Sequence, residues 1–292
     1  MGKALKSYAE YKLRETTREY DFHYKHLKKL VTNMFKWEGL PTQISERFIE
    51  DVLFHNGLVV FHENTKKILT VSRAVSSFIN SYDEPSEFTC YSRDINELSS
   101  ESKSILECVP IYNNTLMEGS SYEVSYFANK LTNVDKTIDV NLDNIKTPFI
   151  ITAPEGQQLT VETLMSKRAN GEPWILMYED GMRDIKIQPF NFDIKNYTKE
   201  LTEMKQNIMA EALTYFGIDN VNVYKRERLT SGEVEQNDDH IAINRSSMLK
   251  TRQLACDKIN EMFNLNVSVT MNENIGKEVD KLCSMGNLEE IQ

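Results

Sequence analysis

The chain has 292 residues, 40% of them hydrophobic and 27% charged, and its formal net charge is −10 at pH 7. This composition supports a sizeable core and excludes a largely disordered chain. No apolar run approaches the roughly 18 residues that span a bilayer, and no signal-peptide pattern opens the chain, so neither membrane contact nor secretion is expected. The cysteines, Cys90, Cys108, Cys256 and Cys283, form no C-x-x-C pair and fit a reducing cytoplasmic compartment.

The charge is unevenly distributed along the chain. Residues 1–36 carry nine Lys or Arg against four Asp or Glu, whereas the remaining residues carry 25 against 40. A tight grip on nucleic acid needs clustered Lys and Arg. The composition therefore argues against a protein that holds phosphates firmly, but it leaves open a contact with nucleic acid that avoids gripping it.

The first third of the chain predicts two helices followed by strands. No glycine or proline occurs between Lys3 and Glu38, and apolar residues recur there at steps of three and four, which indicates one long amphipathic helix. A shorter helix is predicted at Glu46–Asn56, with Ser45 as its N-cap and Gly57 just past its end. The strands predicted next are Leu58–Phe61, Ile68–Val71 and Glu87–Ser92.

Two later helices share one spacing of apolar residues, 3-4-3-4-4-3. The first is predicted from about Ser121 to Asn144, with Val124, Phe127, Leu131, Val134, Ile138, Leu142 and Ile145 along its seam. The second is predicted from about Ile194 to Phe216, with Ile194, Tyr197, Leu201, Met204, Ile208, Ala212 and Tyr215 along its seam. Each seam is narrow, like a coiled-coil stripe, so these helices are expected to pack also against copies of themselves.

The segment between these helices and the segment after them have different characters. The intervening stretch has strand-like Phe149–Thr152 and Ile185–Gln188, a short helix near Thr160–Ala169, and an apolar run at Trp174–Tyr178, which together predict a small α+β module. After Gly217 we expect a strand at Asn220–Val223, a long polar loop from Thr230 to Arg245, a helix at Ser247–Phe263 and a strand at Val267–Met271.

The search for catalytic chemistry finds little. No P-loop and no G-x-S-x-G motif is present, so we predict a non-enzymatic protein without cofactor or metal. His23 and His26 lie three residues apart, but a solvated helix face explains them better than a metal site. Two alternatives stay open: a helical scaffold or adaptor protein, and a metal-dependent nuclease that would use the acids between Glu233 and Asp239.

Several short segments, in order over some 230 residues, resemble one known family. They are Phe35–Pro41, Phe48–Glu50, Gly57–Phe61, Pro110–Asn114, Thr214–Ile218, Lys225–Arg228, Leu249–Arg252, Ala255–Glu261 and Leu265–Val267. Together they resemble the upper collar proteins of small, short-tailed, protein-primed bacteriophages. Those proteins are the portals, or head–tail connectors, of their virions.

The resemblance implies a mainly α fold with small α+β elements, arranged as wing, two-helix stem, clip and crown. The wing would comprise residues 1–118 and 218–271, the stem helices 119–145 and 194–217, and the clip 146–193. A tunnel loop at 229–245 would project into a central bore, and the short tail 272–292 would leave only a reduced crown. The resemblance also implies a twelve-subunit ring at a capsid vertex that conducts double-stranded DNA.

The resemblance and the polar turns of the clip together supply candidate site residues. Lys199 and Lys205 would line the DNA channel, while Glu233, Glu235, Asp238 and Asp239 would lie in the tunnel loop. Glu155, Asp180 and Arg183 would dock partners at the clip, with Trp174 as its packing anchor. The implied partners are the major capsid protein, the packaging ATPase and the lower collar or tail protein. A packaging RNA has less support, because Glu10 and Glu15 dilute the basic N-terminus.

Overall fold

In this computed structural model, the described residues are 2–93, 98–145, 149–152, 186–189, 196–219 and 231–272. The chain divides into two compact units, one formed by residues 1–133 with 204–292 and the other by residues 134–203. The helices among the described residues are α1 (Gly2–Thr32), α2 (Glu46–Asn56), α3 (Ser121–Ile145), α4 (Thr198–Phe216) and α5 (Ser231–Phe263). No described helix combines the length and the apolar character that a membrane crossing requires.

The strands include one larger sheet and two short pairs. They are β1 (Phe35–Glu38), β2 (Leu58–Glu63), β3 (Leu69–Ile79), β4 (Pro85–Arg93), β5 (Leu98–Ser104), β6 (Cys108–Tyr112), β7 (Phe149–Thr152), β8 (Lys186–Pro189) and β9 (Ser268–Met271). The larger sheet is antiparallel with strand order β5-β4-β3-β2-β6, while β1 pairs with β9 and β7 pairs with β8. The strands predicted near residues 58, 68, 87, 149, 185 and 267 are confirmed, with shifted ends.

The five-stranded sheet is strongly curled. A flat sheet would separate its two edge strands by about 19 Å, four spacings of about 4.8 Å, whereas the four Cα steps from Ser104 to Cys108 reach at most about 14 Å. The Cys108 Sγ instead donates a hydrogen bond to the Ser104 carbonyl at 3.2 Å. The curled interior is filled by Leu58, Val60, Ala74, Phe88, Cys90 and Cys108.

Strand β2 lies between this interior and the main core, which explains why five of its six residues are buried. Its alternate residues, Val59 and Phe61, face the main core. The other walls of that core come from α1, α2, α5, the adjoining parts of α3 and α4, and the strands β1, β6 and β9. The apolar run Leu58–Phe61 is therefore the signature of a strand covered on both faces.

Helix α2 has the predicted bounds and the predicted ending. Gly57 has a φ of 75° and donates its N–H to the Leu53 carbonyl at 2.9 Å. A Cβ at this position would lie 2.6 Å from the Met117 carbonyl oxygen, so both the turn and the close chain crossing require glycine. Ser45 precedes the helix in an extended conformation but makes no side-chain capping bond.

The prediction that the first helix continues to Glu38 is wrong at its end. The helix stops at Thr32, and Phe35–Glu38 form strand β1, in which Phe35 and Trp37 are buried while Lys36 and Glu38 are exposed. Because a run of four residues fits a helical or an alternating pattern equally well, the distant partner β9 decides between them.

The long polar loop predicted after Thr230 is also wrong, since helix α5 begins at Ser231 and continues unbroken to Phe263. Hydrophobic periodicity could not reveal its first turns, because they are mostly polar. They contain no proline, and the acids Glu233 and Glu235 near the N-terminus favour a helix through its dipole. The four acids assigned to a tunnel loop thus lie on a helix.

The second unit contains the β7–β8 pair, with Phe149 opposite Pro189 and Thr152 opposite Lys186. The predicted short helix at 160–169 and the predicted segment 174–178 lie outside the described residues, as does the predicted strand at 220–223. The names wing, stem, clip and crown for these parts remain predictions.

Candidate functional site on the paired helices

Helices α3 and α4 pack antiparallel in the first unit. The Phe127 ring lies 5.7 Å from that of Tyr215 and 6.1 Å from that of Phe216. One turn further along α3, the Lys130 Nζ lies 3.2 Å from a carboxylate oxygen of Glu211. The predicted seam residues Val124, Phe127, Leu131 and Val134 of α3 are buried.

Much of the remaining predicted seam is uncovered in a single chain. In the first unit, Met204 and Tyr215 of α4 are 53% and 50% exposed. In the second unit, Leu142 of α3 is 42% exposed. Helices that leave apolar residues of a seam exposed to water are typical of surfaces that pack against another chain.

Hydrogen bonds to asparagine side chains hold the first residues of α4 in place within the second unit. The Asn141 Oδ1 accepts hydrogen bonds from the Tyr197 backbone N–H at 3.2 Å and the Thr198 hydroxyl at 3.3 Å. The Asn196 Oδ1 accepts the Thr198 N–H at 3.0 Å. These bonds satisfy N–H groups that an α-helix leaves unpaired at its first turn, so α4 begins at Thr198 rather than at Ile194.

The two lysines predicted to line a channel occupy different faces of α4. Lys199 is exposed in the first turn, and Lys205 is half-buried. Six residues correspond to about 120° around a helix and about 9 Å along it. A cation in the first turn also opposes the helix dipole. A lysine at position 199 therefore does not stabilise α4 through the helix dipole. This makes Lys199 a better candidate than Lys205 for a functional cation.

The other predicted site residues are not brought together by the described structure. The clip residues Glu155, Trp174, Asp180 and Arg183 lie outside the described residues. Glu233, Glu235, Asp238 and Asp239 follow one another along α5. Among the described residues, no group of three or more His, Cys, Asp or Glu side chains is arranged to hold a metal ion.

The described thiols are not activated nucleophiles. Burial raises the pKa of Cys90 to about 11 and the pKa values of Cys108 and Cys256 to about 12. A reactive cysteine needs a lowered pKa and access to solvent, whereas all three side chains are buried. These cysteines therefore serve as small core residues.

A buried polar network was not anticipated from the sequence. The Arg252 guanidinium donates to both Glu50 carboxylate oxygens, Nε to Oε1 at 3.0 Å and Nη2 to Oε2 at 2.8 Å. It also donates to the carbonyl of Asn113 at 2.7 Å, and its Cζ lies 4.1 Å from the Phe35 ring centroid. The Trp37 Nε1 donates to the same Glu50 Oε1 at 2.9 Å.

This network joins four elements that are far apart in sequence, namely β1, α2, α5 and the end of β6. Arg252 and Glu50 are 1% and 3% exposed, so the ion pair is fully removed from water. Phe35, Trp37, Glu50, Asn113 and Arg252 all belong to segments that carry the family resemblance. The available signal in the sequence was a charged residue on an apolar helical stripe, since Arg252 falls between Met248 and Cys256 at steps of four.

A second charged cluster lies at the surface between α1, α2 and β3. The Lys28 Nζ donates to the Asp51 Oδ1 at 2.7 Å and to the His55 Nε2 at 3.0 Å, and an Arg73 Nη2 lies 3.6 Å from Asp51. Burial disfavours the Asp51 carboxylate, but Lys28, His55 and Arg73 together outweigh the effect of burial, so the pKa of Asp51 lies below its ordinary value. Burial and Lys28 also lower the pKa of His55, which keeps its Nε2 free to accept.

One comparison with known proteins identifies a family, and another shows the fold. The family model described as Phage Connector (GP10) matches residues 4–276. A chain of the structure described as the portal and tail of native bacteriophage P68 is 16% identical, with a TM-score of 0.52. That match covers 98% of this chain and 97% of the other, and it shows the fold.

Two further structures match less well. An HK97-family phage portal protein from Corynebacterium diphtheriae is 7% identical with a TM-score of 0.44, covering 92% of this chain and 94% of that one. A chain of a native gene transfer agent virion is 12% identical with a TM-score of 0.46, covering 94% and 87%.

Proposed function

Because this chain belongs to the phage connector family, we propose that it is the subunit of a ring-shaped portal through which double-stranded DNA enters and leaves a phage head. The ring occupies one capsid vertex and joins the capsid to the tail. The observation that carries the proposal is the exposure, in a single chain, of predicted seam residues: Met204 and Tyr215 in the first unit and Leu142 in the second.

The assembly test is direct. Native mass spectrometry and negative-stain images of the purified chain should show closed rings with a central hole, with twelve subunits as the expected number. A chain that stays monomeric or dimeric across micromolar concentrations would contradict the portal proposal. It would favour the alternative of a helical scaffold or adaptor protein.

The net negative charge supports a channel through which DNA slides rather than a protein that binds DNA tightly. A net charge of −10 weakens contacts with phosphates, so DNA can slide past the wall instead of being held. A few cations suffice to centre the duplex, and we assign this role first to Lys199, which is exposed and unexplained by helix stability. Lys205, half-buried and on another face, is the second candidate.

The lysine assignment can be tested in assembled particles. Lys199→Ala should leave ring formation intact while changing the rate of DNA packaging or exit, because the contact is electrostatic and carries no sequence readout. Lys250→Ala, which removes an exposed lysine from α5, is the matched control. If Lys199→Ala instead prevents ring assembly, the lysine belongs to a subunit interface and the channel assignment fails.

The remaining functions are proposed for the clip, residues 146–193. Its polar segments, which include Glu155, Asp180 and Arg183, would bind the packaging ATPase during filling and the lower collar or tail protein afterwards. Reversing these three charges should spare ring formation and weaken both attachments, as measured by binding of purified rings to each partner. Unchanged binding would place the docking surface elsewhere.

A further inference from the structure

The β3–β4 hairpin presents uncovered apolar side chains on a well-braced turn. Phe78, Ile79 and Tyr82 are 64%, 63% and 84% exposed. The Asn80 Oδ1 accepts the backbone N–H groups of Tyr82 at 2.8 Å and Glu84 at 3.0 Å, and the Asn80 N–H donates to the Glu84 carbonyl at 2.8 Å. The Asp83 N–H also donates to the Asn80 carbonyl at 3.1 Å. These hydrogen bonds close the turn and hold in place the backbone that carries its exposed apolar residues.

The hairpin surface is both apolar and acidic. Its three exposed apolar side chains leave on the order of 400 Å² uncovered, a size at which such patches often have a function. The stretch 74–92 contains Asp83, Glu84 and Glu87 and no Lys or Arg. The neighbouring β5–β6 turn extends the apolar surface with Leu106, which is 83% exposed. Phe78 lies opposite Glu87 in the β3–β4 register, so their side chains are neighbours. We call the exposed end of the hairpin, which carries Phe78, Ile79, Tyr82, Glu84 and Glu87, the hairpin patch.

Helix α1 carries a surface of the opposite character. Phe22 is 68% exposed, and its ring stacks on that of His26 with a centroid distance of 6.4 Å. The exposed cations within about 60° of Phe22 around the helix are Arg18, Lys25 and Lys29. The acids Glu19 and Asp21 lie to either side of that face, about 60° and 100° away. We call Phe22 with these three cations the helix patch.

We propose that the hairpin patch of one subunit docks on the helix patch of a second copy of this chain. Each surface has an exposed aromatic centre, and their rims carry opposite charges, so contact would bury apolar area and pair Glu84 and Glu87 with Arg18 and Lys25. Both patches are exposed in the same chain, so they do not cover each other within one subunit.

A contact between two different surfaces has a consequence for assembly. Each subunit keeps one free patch of each kind, so subunits add head to tail and close into a ring when the rotation permits. The inference therefore rests on the proposed portal function and names one contact that would hold the ring together.

Charge reversal tests this contact. Glu84→Lys with Glu87→Lys, or Arg18→Glu with Lys25→Glu, should each lower the affinity of ring assembly by about tenfold or more, because like charges then meet. Combining the four changes should restore assembly to near the wild-type level. The matched control, Asp257→Lys with Glu261→Lys on the exposed side of α5, should have little effect.

Cross-linking gives a readout that does not depend on stability. Asp21→Cys combined with Ser81→Cys, at exposed positions next to Phe22 and Tyr82, keeps both aromatic residues. With copper–phenanthroline as the oxidant, this variant should form disulfides between subunits and yield a ladder of bands up to the complete ring. Either single cysteine should yield no ladder. Rings that survive both reversals and form no ladder would overturn this contact while leaving the portal proposal intact, whereas a wild-type chain without rings would overturn the portal proposal itself.

Discussion

Replacing Arg252 by methionine should destabilise the first unit severely. Methionine fills much of the volume but removes five hydrogen bonds, two to the Glu50 carboxylate, two to Asn113 and one to the Met248 carbonyl. The buried Glu50 carboxylate would keep one described donor, the Trp37 Nε1. Breaking a buried pair in this way costs about 3–5 kcal/mol of unfolding free energy.

The reasoning predicts a different result when both charges are removed. In Arg252→Met with Glu50→Leu no charge is left unpaired, so much of the loss should return. The remaining deficit should be about 1–3 kcal/mol, because Trp37 and Asn113 lose partners in the interior. Arg252→Lys should fall between wild type and Arg252→Met, since lysine keeps the charge but not the planar two-point contact.

The assay is urea unfolding followed by tryptophan fluorescence, at one protein concentration, since association adds to apparent stability. Trp37 reports directly because it belongs to the network. The double-mutant cycle then gives the coupling between Glu50 and Arg252. A cost below about 1 kcal/mol for Arg252→Met would refute the view that this ion pair anchors β1, α2 and α5 together.

Two further predictions concern the backbone and the pH response. Gly57→Ala should lower the free energy of unfolding by about 2 kcal/mol or more, because its positive φ and a 2.6 Å approach to Met117 leave no room for a Cβ, whereas Lys67→Gly, at a φ of 57°, should be neutral or stabilising. Thermal unfolding of the two variants checks both signs. Burial lowers the pKa of His62 in the folded chain, so the unfolded chain binds a proton on this imidazole first as the pH falls. The free energy of unfolding should therefore decrease as the pH falls below about 6.5. His62→Gln should flatten the Tm profile between pH 7 and 5, and an unchanged slope would contradict the assignment.

Local signals predicted the elements that depend on local chemistry. Helix α2 ends at Asn56 as predicted because Gly57 provides a backbone conformation that few other residues adopt. Helix α3 was visible in its apolar repeat, and Val124, Phe127 and Leu131 are buried as that repeat requires. In each case the deciding interaction lies within a few residues of the position concerned.

The errors arise where a distant part of the chain decides. Strand β1 exists because it pairs with β9, more than 200 residues later, and its four residues alone do not specify a strand. The first turns of α5 are polar and show no periodic signal. Only three residues connect β5 to β6, which are the two edge strands of the five-stranded sheet. The curl that this short connection requires cannot be predicted from the sequence pattern of the individual strands.

The same limit explains why the Glu50–Arg252 pair was missed, although both residues lie in segments that carry the family resemblance. Their separation of 202 positions hides the contact, and an isolated charge on an apolar stripe reads as an interruption. Buried, the pair contributes geometry more than net energy, since replacing both charges by apolar residues should cost only about 1–3 kcal/mol. The planar guanidinium of Arg252 can donate to Glu50 and Asn113 in only one arrangement, and so fixes how α5 packs against α2 and the end of β6.

The first unit contains both patches of the proposed ring contact, and head-to-tail closure requires each subunit to repeat the same angle between them. The buried network fixes the relative placement of the helices, and the ring contact depends on that placement. Loss of Arg252 should therefore disturb the geometry of the ring before it abolishes folding.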